Sequence, residues 1–404
     1  MKSEGGEFLG RWAFCALCVR TLGTLCGSSD FVVAGDLSAV KRHVLVFLRA
    51  WAFVLVPILC LVMTGLRARA VRAGNPFQVS HALVQSPPTF RQVVFGAIVA
   101  NAPYRGVRET EDAAGRHLGI IEFGQPFDRP VDATALTIIH AHGSLPMVSW
   151  YPWTYAYGRH GGNKSPLERY ALRKLYNGTY DDVIRREAEA LARFGYPVIL
   201  RFAPEMNGFW YPWSESPTGN IRGQHRNSNQ LGDFVKAWRH VHDVFQQTGA
   251  TNVIWNWSPN VWYYGQKYPF TEYYPGDDYV DLIGVDGYNW GAVKSWSQWQ
   301  TPDHVFGRTL TALRRISNRP FILSETASAE RGGDKAAWMK QFFAYLKANR
   351  DIAAFLWFDL KKETDWRLNS SRASRLAFRS GMDGGVSGSP TTLLSHLLIR
   401  GGQR

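Results

Sequence analysis

The chain has 404 residues, 45% of them hydrophobic and 20% charged, a globular composition able to bury a large core in one barrel-sized unit. Its formal charge of +13 is spread without a long basic run beyond residue 73, which fits a solvated mixed surface better than a nucleic-acid-binding face. All four cysteines, Cys15, Cys18, Cys26 and Cys60, precede residue 61, so the remainder has neither a disulfide framework nor a cysteine-ligated metal. The Cys15-x-x-Cys18 pair has no partner motif and reads as chance.

Residues 1–73 form an N-terminal extension in which Val44 to Leu66 is apolar except for Arg49, with Lys41-Arg42-His43 in front and Arg67, Arg69 and Arg72 behind. Two readings stay open: an export signal, with Ala68-Arg69-Ala70 as its cleavage site, or a membrane anchor, because 23 residues suffice to span a bilayer. Either makes the protein extracellular or periplasmic. Initiation near Val40 would leave a conventional signal peptide. A Pro-containing linker, 74–90, follows.

Eight short apolar runs then alternate with longer amphipathic ones over residues 91–380. They are Val93 to Val99, Gly119 to Phe123, Pro146 to Trp150, Pro197 to Phe202, Asn252 to Trp257, Val280 to Val285, Pro320 to Ser324 and Ala353 to Phe358. Continuous β-branched and aromatic runs mark parallel strands buried on both faces. Asp181 to Arg193, Asn229 to Gln247 and Lys335 to Asn349 carry apolar residues at helical spacing. The alternation predicts a single α/β domain, a closed (β/α)8 TIM barrel. The tail, 381–404, is Gly- and Ser-rich before an apolar patch, Leu393 to Ile399, which docks as a final helix or frays.

In such a barrel, chemistry sits where strands give way to the following loops. Glu205 stands just after the fourth run and Glu325 directly after the seventh. Two carboxyl groups about 5–5.5 Å apart are what a retaining glycosidase requires, one as nucleophile and one as proton donor and later base. Glu205 then needs a raised pKa, and Glu325 a partner for its charge, such as Arg201 or the Tyr288 hydroxyl. The 16 Trp and 17 Tyr suit stacking on sugar faces, although any single Trp is as readily core filling.

The stretches RFAPEMNGFWYPW (Arg201 to Trp213), GVDGYNW (Gly284 to Trp290) and SETAS (Ser324 to Ser328) resemble, in this order, motifs of glycoside hydrolase family 26, the β-mannanase family. The resemblance runs from about Val93 to Phe358. It implies Glu205 as acid/base, Glu325 as nucleophile, Tyr288 as the tyrosine bonded to the nucleophile, and Trp357 as the sugar platform ending strand eight. Trp210 and Trp213 would line the aglycone side and Trp150 and Trp153 the opposite lip, with Asn207 and Trp290 completing the substrate-binding set. One position departs: the mannanases place His before the acid/base, and here Pro204 offers neither a polar side chain nor an N–H. Mannan, mixed-linkage β-glucan, β-xylan and a bacterial exopolysaccharide therefore all stay open as substrate.

Other chemistry finds little support. The eleven His residues include no HExxH and no pair at ligand spacing with a third acid; His240 and His242 face different sides of a helix, and His140 and His142 fall near a helix end. No phosphate-binding glycine loop follows a strand, and Ser324 lacks the glycines of a nucleophile elbow. Asp286 and Asp359 suit site support or ion pairs equally, and Asn163, Asn177 and Asn369 head glycosylation sequons. The expectation is a monomeric endo-acting β-glycanase without metal or cofactor, whose partner is a β-linked polysaccharide. Its rivals are a silent polysaccharide-binding protein and a membrane-held transglycosylase or trimming enzyme.

Overall fold

The computed structural model describes residues 88–154, 167–215, 228–384 and 388–401. The apolar segment from Val44 to Leu66, all four cysteines, most of the 74–90 linker and the Asn163 sequon lie outside them.

Eight parallel strands close into a barrel in chain order: β1 (Val94–Val99), β2 (Ile120–Pro126), β3 (Leu145–Tyr151), β4 (Val198–Phe202), β5 (Val253–Trp257), β6 (Leu282–Asn289), β7 (Phe321–Ser328) and β8 (Ile352–Asp359), with β8 pairing back onto β1. Each predicted run contains or overlaps one strand. Helices α1 (Gly106–Ala114), α2 (Ala133–Ala141), α3 (Leu172–Tyr176), α4 (Asp181–Phe194), α5 (Asp233–Thr248), α6 (Pro302–Leu313), α7 (Lys335–Ala348) and α8 (Arg372–Asp383) form the outer layer. This is the (β/α)8 architecture, with one substitution. Between β5 and β6 the chain makes only two 3-10 turns, Phe270–Glu272 and Asp277–Tyr279. Pro259, Pro269 and Pro275 there, with Gly265 and Gly276 at positive φ, break any helix.

Strand alternation sorts the side chains. One parity, including Phe95, Trp150, Leu200, Phe202, Trp255, Leu323, Phe355 and Trp357, packs outward against the helices. The other fills the lower barrel with Val94, Ile120, Leu145, Met147, Ile199, Ile254, Leu282, Ile322 and Leu356. The tail forms a last helix, α9 (Pro390–Gly401), whose Leu393 is fully buried in this inner cluster beside Phe90. It stoppers the base of the barrel and leaves the opposite end open.

Candidate active site

One step further along β2 to β6 the inward side chains turn polar. Above Ile120 comes Glu122, above Met147 Ser149, above Ile199 Arg201, above Ile254 Asn256, and above Leu282, past Gly284, Asp286. Gly284 is required by this crowding, since a Cβ there would lie 2.5 Å from the hydroxyls of both Ser258 and Ser324. Arg201, wholly buried, occupies the centre. Its guanidinium donates to Glu325 Oε1 at 2.8 Å, to Ser149 Oγ at 2.9 Å, to Glu122 Oε1 at 3.3 Å, and to Asp286. Burial opposes its charge, yet the carboxylates of Asp286, Glu325 and Glu122 hold it above its ordinary range.

Glu325 reaches this cluster through a bulge. From Ile322 to Glu325 β7 advances three residues while β6 advances two, from Gly284 to Asp286, and β8 shows the same mismatch between Phe355 and Trp357. The extra residue lets Ser324 accept a hydrogen bond from Asn256 inside the barrel while Glu325 also points inward, the re-aiming for which bulges are used. Its second oxygen accepts the Tyr288 hydroxyl. Burial and the charge of Glu325 push that phenol upward.

Glu205 comes from the turn after β4. Ala203 (φ 42°) and Glu205 (φ 56°) are both left-handed without being glycine, a conformation costing on the order of 1–3 kcal/mol per residue. The surroundings hold them there: Ala203 N–H donates to Trp150 O (3.0 Å), Glu205 N–H to Ser258 O (2.7 Å), and Trp213 Nε1–H to Pro204 O (2.7 Å). Trp210 folds back so that its Nε1–H donates to Glu205 Oε2 at 2.7 Å. Gly208 makes this possible, because a Cβ there would meet the indole at 2.5 Å. Burial first, then the charge of Glu325, push the Glu205 carboxyl up to about 7, against the pull of Arg201 and Trp210. Two carboxyl groups thus face each other electrostatically, one gripped by a cation and a phenol, the other near protonation balance at neutral pH.

The predicted sugar-binding residues divide. Trp210 and Trp290 are half-buried at the mouth, Trp290 against Trp296 (5.3 Å) and Trp366 (4.9 Å), and Trp153 is half-buried against Tyr211. Trp150 and Trp357 are not at the site. Both have the outward parity and no exposure, Trp150 packed on Phe127 and Phe202, Trp357 on Trp338 and Phe378. The inward neighbour, Phe358, takes the place expected of Trp357, with its ring 5.6 Å from Tyr288. Trp213 is also fully buried and acts as backing, stacked at 4.4 Å under Tyr211. Asn207 is a loop tie: its side chain bonds Asn260 N, Asn260 O and Gln266 from a buried position.

Residue type alone did not single out Glu122, Tyr151, Tyr211, Phe358 or Trp366. Burial pushes Glu122 up to about 7 despite Arg201. The Tyr211 hydroxyl is raised by burial and by the charge of Glu205. Strand parity was the available signal for Glu122, Tyr151 and Phe358, each two residues beyond an inward apolar or small side chain. Asp286 supports the site through Arg201 and Ser258. Asp359 instead accepts from Thr110 and Leu368 N–H and braces the β8 loop.

A barrel whose open end holds one guanidinium among buried carboxylates, ringed by aromatic side chains, defines a carbohydrate-active type of site. The family model for glycosyl hydrolase family 26 matches residues 163–311. Endoglucanase H of Acetivibrio thermocellus is 39% identical over 252 residues, covering 62% of this chain and 25% of its own length. Mannan endo-1,4-beta-mannosidase of Bacillus subtilis is 24% identical over 204 residues, 48% of this chain and 49% of the relative. The chain thus spans a quarter to a half of these relatives. Among solved structures, a modular endo-beta-1,4-mannanase from Cellulomonas fimi superposes with a TM-score of 0.56 at 14% identity, covering 75% of this chain and 73% of the other, and a beta-mannanase from Bacteroides ovatus with 0.53 at 17%, covering 74% and 91%. At such identities the likeness is one of fold. The family-model match over residues 163–311 and the 39% identity to an endoglucanase support glycosyl hydrolase family 26 as the family this chain resembles.

Proposed function

We propose that residues 91–380 are a retaining endo-β-glycanase that cleaves a β-linked polysaccharide by double displacement. The observation that carries this reading is the contrast between the two carboxyl groups: Glu325 held by Arg201 at 2.8 Å and by Tyr288, Glu205 raised to about 7. In the first step Glu325 attacks the anomeric carbon while Glu205 protonates the departing glycosidic oxygen. In the second, Glu205 takes a proton from water, which displaces Glu325 from the sugar. The guanidinium and phenol of Arg201 and Tyr288 orient the attacking oxygen, and the aromatic rim holds the flanking sugars.

Among the open substrates, β-glucan comes first. Pro204 removes the polar side chain that the mannanase pattern places beside the acid/base, and an endoglucanase shares 39% identity where the mannan endo-mannosidases share 24–29%. A polymer of this kind is met outside the cell, and Val44 to Leu66 would deliver the enzyme there, cleaved as a signal or kept as an anchor. No helix among the described residues is long and apolar enough to cross a membrane.

The test is reducing-end release from mixed-linkage β-glucan, mannan, glucomannan and β-xylan by the wild type and by Glu205→Ala and Glu325→Ala. Release from β-glucan that disappears in the Glu325 variant is the expected result. Release from mannan alone would move the substrate; binding without release from any polymer would overturn the catalytic reading.

A further inference from the structure

At the closed base of the barrel, away from the carboxylate pair, three groups from separate segments converge. Glu111 lies on α1, His117 in the turn entering β2, and His142 at the end of α2 just before β3. His117 Nδ1 is 3.0 Å from Glu111 Oε1, and His142 Nε2 is 3.3 Å from Oε2. The two imidazoles are stacked with centroids 4.3 Å apart and planes at 18°. One ligand atom from each of the three residues fits within 4.8 Å of the others.

The hydrogen bonds around His142 fix its tautomer. Ser144 Oγ donates its one hydrogen to Leu118 O at 2.5 Å, so toward His142 Nδ1, 2.8 Å away, it accepts. A proton therefore sits on Nδ1, which leaves Nε2 as the atom that faces a carboxylate oxygen. That contact is favourable with a proton on Nε2 or with a cation between the two atoms. Two imidazolium rings stacked face to face before one carboxylate would repel each other, whereas one divalent ion takes both lone pairs and the carboxylate together. Ser144 then plays the part that outer hydrogen-bond partners play for metal-ligating imidazoles. His117 is 55% exposed while Glu111 and His142 are 21% and 27% exposed, which leaves an open side for water to complete a tetrahedron.

We propose that Glu111, His117 and His142 bind a divalent cation of the zinc type. Two imidazole nitrogens and a carboxylate suit zinc, with ligand bonds of about 2.0–2.2 Å, and are poor for magnesium or calcium, which favour all-oxygen sets. Small side-chain rotations close the spacing. The ion ties α1 to the entries of β2 and β3 at the end of the barrel that governs stability rather than catalysis. The spacing in sequence conceals it, since six and twenty-five residues separate the successive ligands and no helix or loop motif carries them.

The experiment is zinc titration of the tag-free full-length protein by calorimetry and thermal unfolding, after chelator treatment, alongside His117→Ala and His142→Ala, with magnesium as comparison. Any zinc taken up elsewhere in the chain, including by the four cysteines, is common to all three proteins, so differences isolate the site. Expected is one zinc equivalent fewer in each variant and a zinc-induced rise in Tm in the wild type that exceeds theirs by about 2 °C, with glycan hydrolysis unchanged. Equal stoichiometry in wild type and variants would overturn the proposal, as would an equal shift with magnesium. His117 is mostly exposed, so its variant folds even if that of His142 does not.

Discussion

The two ends of the barrel interior use one alternation for opposite purposes. At the base, Ile120, Met147, Ile199, Ile254 and Leu282 close around Leu393 of α9 in an apolar plug. Two or four residues further along the same strands, Glu122, Ser149, Arg201, Asn256 and Asp286 form a buried charged cluster. The plug gains stability from burial. The cluster does the reverse, with one guanidinium among three carboxyl groups and the second oxygen of Glu122 without a hydrogen-bond partner among the described residues. The arrangement persists because the apolar end holds the scaffold that the polar end would weaken.

The largest effect that sharpens this contrast is at the mouth. Glu325→Ala should lower kcat by at least about 10³-fold with little change in Tm, measured by steady-state hydrolysis and thermal unfolding. A drop in Tm with activity preserved would place Glu325 among the structural residues. The base should respond in the opposite sense. Leu393→Ala removes a fully buried side chain and should cost about 2–5 kcal/mol of stability while kcat of the folded enzyme stays within a factor of two, checked by denaturant unfolding and active-site-normalised rates.

A smaller effect concerns pH. Glu205 must carry its proton to act as an acid, so activity should fall as pH rises through about 7. Trp210 donates to the charged form of Glu205, so Trp210→Phe should move this alkaline limb upward by roughly half a unit. A downward shift in the kcat/KM profile would break the assignment.

Much of this was legible in the sequence and some was not, for identifiable reasons. The eight apolar runs located the strands because parallel strands covered on both faces must be continuously apolar. Glu205, Glu325 and Tyr288 stood out through their place at strand ends and their motif neighbours. Facing did not: an all-apolar strand hides its parity, so Trp150 and Trp357 read as groove residues although they belong to the helix layer, and Phe358 was passed over. Nor did the β7 bulge, which alone lets Ser324 and Glu325 share one side of the sheet. Glu122 and the Glu111, His117 and His142 group could not be read from local spacing, because their partners come from distant parts of the chain.

The smallest effect lies in the outer layer, behind the mouth. Glu187 on α4 has one oxygen on Val131 N–H at 3.1 Å and is pushed up to about 8 by burial. Because its folded pKa exceeds the unfolded value, its favourable contribution is full below about 4.5 and is lost as pH rises through about 8. Glu187→Gln should therefore reduce the loss of stability between pH 6 and pH 9 by an amount on the order of 1 kcal/mol, read from unfolding at both pH values. An unchanged pH dependence would show that Glu187 does not titrate in this range.

The most direct test of the carboxylate assignment is the anomeric configuration of the first product, followed by proton NMR in the opening minutes of hydrolysis, before mutarotation mixes the anomers. Double displacement through Glu325 predicts that the β-anomer appears first. Initial release of the α-anomer would mean a single displacement by water and would contradict a nucleophilic Glu325.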